Sequence, residues 1–284
     1  MNTIAANGAM ALRVREGRDP VLLARILSAL VLLPVAVAVV LLGGWPLTVL
    51  VAAAGALMII EWDRLCGDRR FGALGVVQTA VVLVAIVATP TAGAVWGLVA
   101  LIAGAALAAA MAPMSGRSPS WPGIGVLYVG LPCIAILWLR EIPDAGRDIL
   151  LWLLALVWAT DIGAFVVGRS IGGPRLAPRV SPGKTWSGLA GGIVSGAGVG
   201  AAAAIASGTG SALGLAAISA VLAVVAQIGD LAESAVKRRF GVKDSGRIIP
   251  GHGGVLDRLD GVLAVAPAVA LVLWVQQGGM PLWP

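Results

Sequence analysis

"ILLWLLALVWATDIGAFVVG", residues 149–168, runs for a full membrane-spanning length with a single charged side chain, Asp161. A transmembrane helix needs ~20 predominantly apolar residues. The stretch shows no alternation of apolar and polar positions, so helix is the only spanning structure it supports. Similar stretches lie on both sides of it: Val21–Leu42, Trp45–Ile60, Gly72–Ala88, Ala92–Ala112, Ile124–Leu139, Gly188–Ala206, Ser211–Gly229 and Gly261–Val275. The shorter ones borrow flanking residues. Composition agrees, with 59% hydrophobic residues, 12% charged and a mean hydropathy of +0.96, where soluble domains carry about a quarter charged residues. The sequence predicts an all-α polytopic membrane protein of about nine transmembrane helices. Residues 1–20 read as a polar cytoplasmic N-terminal segment without signal-peptide shape. Val21–Leu42 is too long for a signal h-region and reads as a retained first helix. Residues 21–284 read as one transmembrane domain, with no internal repeat or linker.

Orientation follows from the basic residues. With the N-terminus in the cytoplasm, eighteen of the twenty Lys and Arg fall on the inner side, and only Arg140 and Arg147 on the outer. That matches the positive-inside rule. The +6 net charge therefore describes one face of a membrane protein and lends little to a nucleic-acid partner. Trp45, Trp62, Trp121, Trp152, Trp274 and Trp283 lie near predicted helix ends, as interfacial anchors do. Gly188, Gly192, Gly196 and Gly200 repeat every four residues, a small-residue face that lets another helix approach closely.

Against this background the charge between Asp230 and Asp260 stands out. Eleven of the 34 charged residues are there, with the sole histidine, His252. Asp230, Glu233, Ser234 and Lys237 share one helix face by spacing, and Asp257 and Asp260 open the ninth helix. Taken singly, each has a structural account: Asp230–Lys237 and Glu233–Lys237 ion pairs, or acids favoured at a helix start. Taken together, three aspartates at two helix ends suit a hard cation with oxygen ligands. The surrounding Lys and Arg suit a polyphosphate. "PGHGG", residues 250–254, offers N–H groups that could cradle an anion, and His252 could donate to a phosphate or brace the turn.

A second segment, 169–187, contains Gly183-Lys184-Thr185. A P-loop needs a Gly five residues before Gly183, where Pro178 stands, and a preceding buried strand; neither is present. What remains is a Pro-stiffened cytoplasmic segment carrying Ser181, Lys184, Thr185 and three arginines.

Ser234-Ala-Val-Lys237-Arg238, then Lys243-Asp244, Gly246, Pro250, His252-Gly253-Gly254 and Asp257-Arg258-Leu259-Asp260 resembles the signature of the phosphatidate cytidylyltransferases (CDP-diacylglycerol synthases). "DIGAFVVGRSIGG" and "SPGKTWSG" resemble that family's second region. One position departs: the family commonly has Glu after the Trp, and here it is Ser187. The resemblance implies transfer of the cytidylyl group of CTP to phosphatidate, Mg²⁺-dependent, at the cytoplasmic face of the inner membrane. It implies Asp230, Asp257 and Asp260 as metal carboxylates, with a second cation such as K⁺, and a homodimer in the bilayer.

On this reading residues 21–284 are one catalytic domain with active-site segments 169–187 and 230–260. Lys237, Arg238, Lys243, Asp244, His252 and Arg258 would be catalytic. Ser181, Lys184, Thr185, Ser234, Arg247, Gly253 and Gly254 would bind substrate. A cation-coupled transporter using Asp161, Asp230 and Glu233 is the alternative, although paired repeats and midplane helix breaks are not visible. A CDP-alcohol phosphotransferase would need a longer run of aspartates than "DRLDG" begins.

Overall fold

The structure, a computed structural model, describes residues 20–67, 71–208, 211–246, 248 and 253–276. Residues 1–19 of the N-terminal segment, Arg247, His252 and Trp283 lie outside the described residues. Nine α-helices occur among the described residues: α1 (Pro20–Leu42), α2 (Gly44–Cys66), α3 (Ala73–Ala92), α4 (Ala94–Met111), α5 (Ser120–Arg140), α6 (Gly146–Ile171), α7 (Trp186–Ser207), α8 (Ala212–Arg239) and α9 (Leu256–Gln276). Eight of them, α2 to α9, are long and apolar enough to cross a membrane. The sequence reading missed one element, a two-stranded antiparallel hairpin of β1 (Arg175–Ala177) and β2 (Ser181–Thr185), with Arg175 opposite Thr185 and Ala177 opposite Ser181.

Several helices outrun their apolar stretches. Helix α2 continues past Ile60 to Cys66, α6 past Gly168 to Ile171, and α8 past Gly229 to Arg239. Hydropathy falls at the first charges, but the backbone ladder needs only the next residue's N–H to go on. The extra turns carry Glu61, Asp63, Arg169 and the whole Asp230–Lys237 face. At the opposite end of the bundle, Gly43 and Gly44 take φ of 66° and 52° to turn α1 into α2. Arg140 then donates from Nε to the carbonyl of Val40 (2.9 Å) and from Nη2 to that of Leu41 (3.3 Å). It satisfies carbonyls that the end of α1 leaves open.

Helix α5 is the innermost, packed against α2, α3, α4 and α9, while α7 lies between α6 and α8. The glycine face of α7 makes that second packing possible. A Cβ at Gly192 would stand 3.0 Å from the carbonyl of Thr160 on α6, and one at Gly196 would stand 2.9 Å from Ala223 Cβ on α8. Gly188 and Gly200 are equally tight, against Ala164 and Leu215 carbonyls. The helices that approach the glycine face are thus α6 and α8 of the same chain. Two of the predicted tryptophan anchors are also relocated. Trp62 and Trp152 are buried, donating to the carbonyl of Trp121 (2.9 Å) and to Ser219 Oγ (3.1 Å). Trp45 and Trp274 stay exposed.

Gly196→Leu should lower the unfolding midpoint in detergent by several degrees, since overpacking costs about 1–3 kcal/mol. Gly198→Ala, which faces open space, should leave it unchanged. Thermal unfolding of both variants checks this, and equal midpoints would remove the glycine face from the packing account.

Candidate active site

The two charged segments meet at one end of the bundle. After α6 the chain reverses through Gly172 (φ 67°) and Gly173 (φ 104°), a left-handed conformation that favours glycine, and enters the hairpin. Thr185 then caps α7, its Oγ1 accepting from the Gly188 N–H at 3.1 Å, so its hydroxyl has a structural partner. The hairpin leans on α8 through Lys184, whose Nζ lies 2.7 Å from Asp230 Oδ2 and donates to the carbonyl of Gln227 (3.4 Å). Arg238 donates from Nε to the carbonyl of Val180 (3.3 Å). Ser234 turns back along α8 to Asp230 Oδ1 (3.3 Å).

Helices α8 and α9 approach closely at Gly229, where a Cβ would stand 2.9 Å from the carbonyl of Asp260. This absence of a side chain brings Asp230 toward Asp260, and those two line one cavity with Asp161 of α6. Asp257 is differently engaged. Its oxygens accept from the N–H of Ser245 (3.0 Å) and of Gly254 (2.8 Å) and from Lys237 Nζ (2.8 Å). Lys237 also stands 3.2 Å from Glu233 Oε1, and its side chain is only 11% exposed. It is a buried strut between two carboxylates, where the sequence pattern suggested a cation free for phosphate.

The anion cradle expected of "PGHGG" is likewise modified in its described part. The N–H groups of Gly254, Val255 and Leu256 already go to carboxylates of the protein: Asp257 for the first, Glu61 of α2 for the other two. The sequence reading overlooked Glu61, although an acid directly after an apolar stretch is the signal that could have found it.

The groups enclose a cavity of about 860 Å³ between α6, the hairpin, α8 and the start of α9. Among the expected residues, Ser181, Lys184, Thr185, Asp230, Lys237, Asp244, Asp257, Arg258 and Asp260 line it. Ser234, Arg238, Lys243, Gly253 and Gly254 are not on its wall. Asp161 is, although the sequence analysis assigned it only to a transporter, and so are Arg169 and Arg175. Lys184–Asp230 and Lys237–Asp257 pair internally. Asp161, Asp244, Asp260, Arg169, Arg175 and Arg258 line the cavity with no ion-pair partner among the described residues. Unneutralised charges of both signs in one cavity can take a polyanion together with a hard cation. No three His, Cys, Asp or Glu side chains stand close enough to share an ion among the described residues.

The profile of the cytidylyltransferase family matches residues 23–276. The chain belongs to the cytidylyltransferase family. Among its relatives, a phosphatidate cytidylyltransferase of Brucella suis biovar 1 is 39% identical over 253 residues, covering 87% of this chain and 91% of the relative. That of Pseudomonas aeruginosa is 42% identical over 270 residues, covering 90% and 98%. That of Bacillus subtilis is 38% identical over 151 residues, covering 53% and 56%. Membership makes the chain a nucleotidyl-transferring enzyme. Ser187, the departure from the family pattern, is off the cavity wall. Its Oγ donates to the carbonyl of Gly172 and lies 3.0 Å from Thr185 Oγ1, tying the start of α7 to the end of α6.

Lys237→Met should destabilise the enzyme by about 3–5 kcal/mol, because it leaves Glu233 buried without its cation. Lys243→Met, at an exposed position, should cost little. Chemical unfolding in detergent micelles compares the two, and equal stability would show that Lys237 is not a strut.

Proposed function

We propose that the enzyme transfers the cytidylyl group of CTP to phosphatidate, giving CDP-diacylglycerol and pyrophosphate. A phosphate oxygen of phosphatidate attacks the α-phosphorus of CTP. The bond from that phosphorus to the bridging oxygen of the β-phosphate breaks, and pyrophosphate carries away the electron pair. The nucleophile is an anion near neutral pH, so no general base is needed. The work is to align two polyanions and stabilise charge on the leaving group.

The observation that carries this reading is that the cavity combines cations and carboxylates without ion partners among the described residues, beside an apolar wall. Ile162 and Phe165 on α6 are 64% and 65% exposed, and Arg169 lies one turn further on, its guanidinium 6.0 Å from the Phe165 ring centroid. A lipid substrate must keep its acyl chains in the bilayer while its phosphate enters the cavity. The α6 wall meets both demands, with Arg169 to receive the phosphate. CTP, arriving from water, needs no apolar wall and would lie toward the hairpin and α8, near Arg175, Lys184 and Arg258.

The donor set fits Mg²⁺: Asp230 and Asp260 offer hard oxygen ligands whose mutual repulsion a divalent cation relieves. When bound there it would neutralise the phosphates. Asp257 would join only by exchanging one of its present donors for the ion. A second cation such as K⁺ has Asp161 within the same electrostatic cluster. The charge asymmetry supports a site on the cytoplasmic face of the inner membrane. A homodimer would use a face other than the glycine face of α7.

The purified protein with phosphatidate, labelled CTP and Mg²⁺ should form labelled CDP-diacylglycerol. Asp260→Asn should lower kcat by roughly 10²–10³ or more without unfolding the protein; a wild-type rate would remove Asp260 from the site. Arg169→Gln should raise the phosphatidate KM about tenfold or more, from a lost charge-assisted contact, and leave the CTP KM alone. The reverse pattern would overturn the placement of the lipid. Ser187→Glu should leave the rate and Mg²⁺ response unchanged.

A further inference from the structure

Glu61 is 1% exposed, and every hydrogen bond it accepts comes from a neutral donor. Oε1 accepts from the Val255 N–H at 2.9 Å, and Oε2 from the Leu256 N–H at 2.9 Å and from Ser245 Oγ at 3.3 Å. Burying a carboxylate with no lysine or arginine against it among the described residues is expensive, so the geometry that retains it is informative. The three donors flank one stretch of chain, Ser245 before it and Val255 and Leu256 after it. A single side chain from α2 therefore ties Ser245, midway between α8 and α9, to the two residues at the start of α9.

The loop is built to let it do so. A Cβ at Gly246 would stand 2.5 Å from Glu61 Oε1, and one at Gly254 would stand 2.7 Å from Oε2. Only glycine leaves room for the carboxylate at either place. Gly254, two residues before α9, has no side chain to cap the N–H groups that follow. Asp257 turns back to the Gly254 N–H (2.8 Å), which is one half of a capping box. The N–H groups of Val255 and Leu256, between Gly254 and Asp257, are met by Glu61 from another helix.

We propose that Glu61 is a positioning residue of the active site: it caps the start of α9 from α2 and ties it to Ser245, setting Asp257, Arg258 and Asp260 against α8. This rests on the cavity being the reaction site. Glu61 is off the cavity wall and acts through the first turn of α9, without touching substrate.

Glu61→Gln keeps the size of the side chain but sets an NH₂ group against one of the two backbone donors. The test combines steady-state kinetics on the full-length enzyme with hydrogen–deuterium exchange in detergent. The expected result is a kcat about 10²-fold lower, the scale of a small misplacement of reacting groups. KM for both substrates should stay within about threefold, the scale of a ground-state interaction left intact. Exchange should quicken at 245–246 and 253–260 and stay at wild-type rates in α4 and α6. Glu61→Asp, which keeps the carboxylate and draws it back, should give an intermediate kcat. Unchanged kcat, or exchange that rises throughout the chain in step with lost activity, would overturn the proposal, the latter by making Glu61 a global stabiliser. An inactive wild type would count against cytidylyl transfer, while the exchange pattern still decides the cap: local loosening supports it and unchanged exchange overturns it.

Discussion

Helix α9 begins inside the protein, and the N–H groups of its first turn have no helical carbonyls to meet. At that start and the two residues before it, carboxylates take the N–H groups, Asp257 that of Gly254 and Glu61 of α2 those of Val255 and Leu256. Gathering acids there requires a counter-charge, and Lys237 of α8 provides it, standing between Asp257 and Glu233. One need, the capping of a buried helix start, thus ties α2, α8 and α9 into a single network. Partly dismantled networks of this kind are worse than none, because each lost partner leaves a desolvated charge.

This network also sets the electrostatic character of the cavity. Lys237 and Asp257 face it but neutralise each other, as do Lys184 and Asp230 across the contact between hairpin and α8. Among the described residues, three acids and three arginines on the cavity wall have no ion partner, and a cation at Asp230 would take the place of Lys184. Division of labour between scaffold and site follows from pairing, not from residue type. Arginine suits the second role, since its fork matches phosphate oxygens and it keeps its charge when buried.

Close approach of helices makes both arrangements possible. Within a bilayer, apolar side chains gain little by leaving lipid, so helices associate through tight contact between small residues. Gly229 draws α9 against α8 beside Asp230, and the α7 glycines draw α6 and α8 together around it. The aspartates of α6, α8 and α9 come near one another because the backbones between them are bare.

Much of this is present in the order of the residues. Apolar length specifies helices that span, the distribution of Lys and Arg specifies which ends lie together, and the concentration of charge after Asp230 marks the end that holds the charged cavity. The family signature adds a chemistry. All of these are local or additive properties of a chain in a membrane, and they survive without knowledge of packing. Which charges are free is another matter. Lys237 and Arg169 carry the same charge in the sequence, yet one is enclosed by Glu233 and Asp257 and the other lies open on α6. The hairpin at 175–185 depends on pairing between strands too short to signal themselves. Glu61 is separated by nearly two hundred residues from the N–H groups it serves, and no spacing rule connects them. Hydropathy and motif are summed along the chain, whereas hydrogen-bond partnership is decided by which backbones are brought within about 3 Å, and only the folded bundle does that.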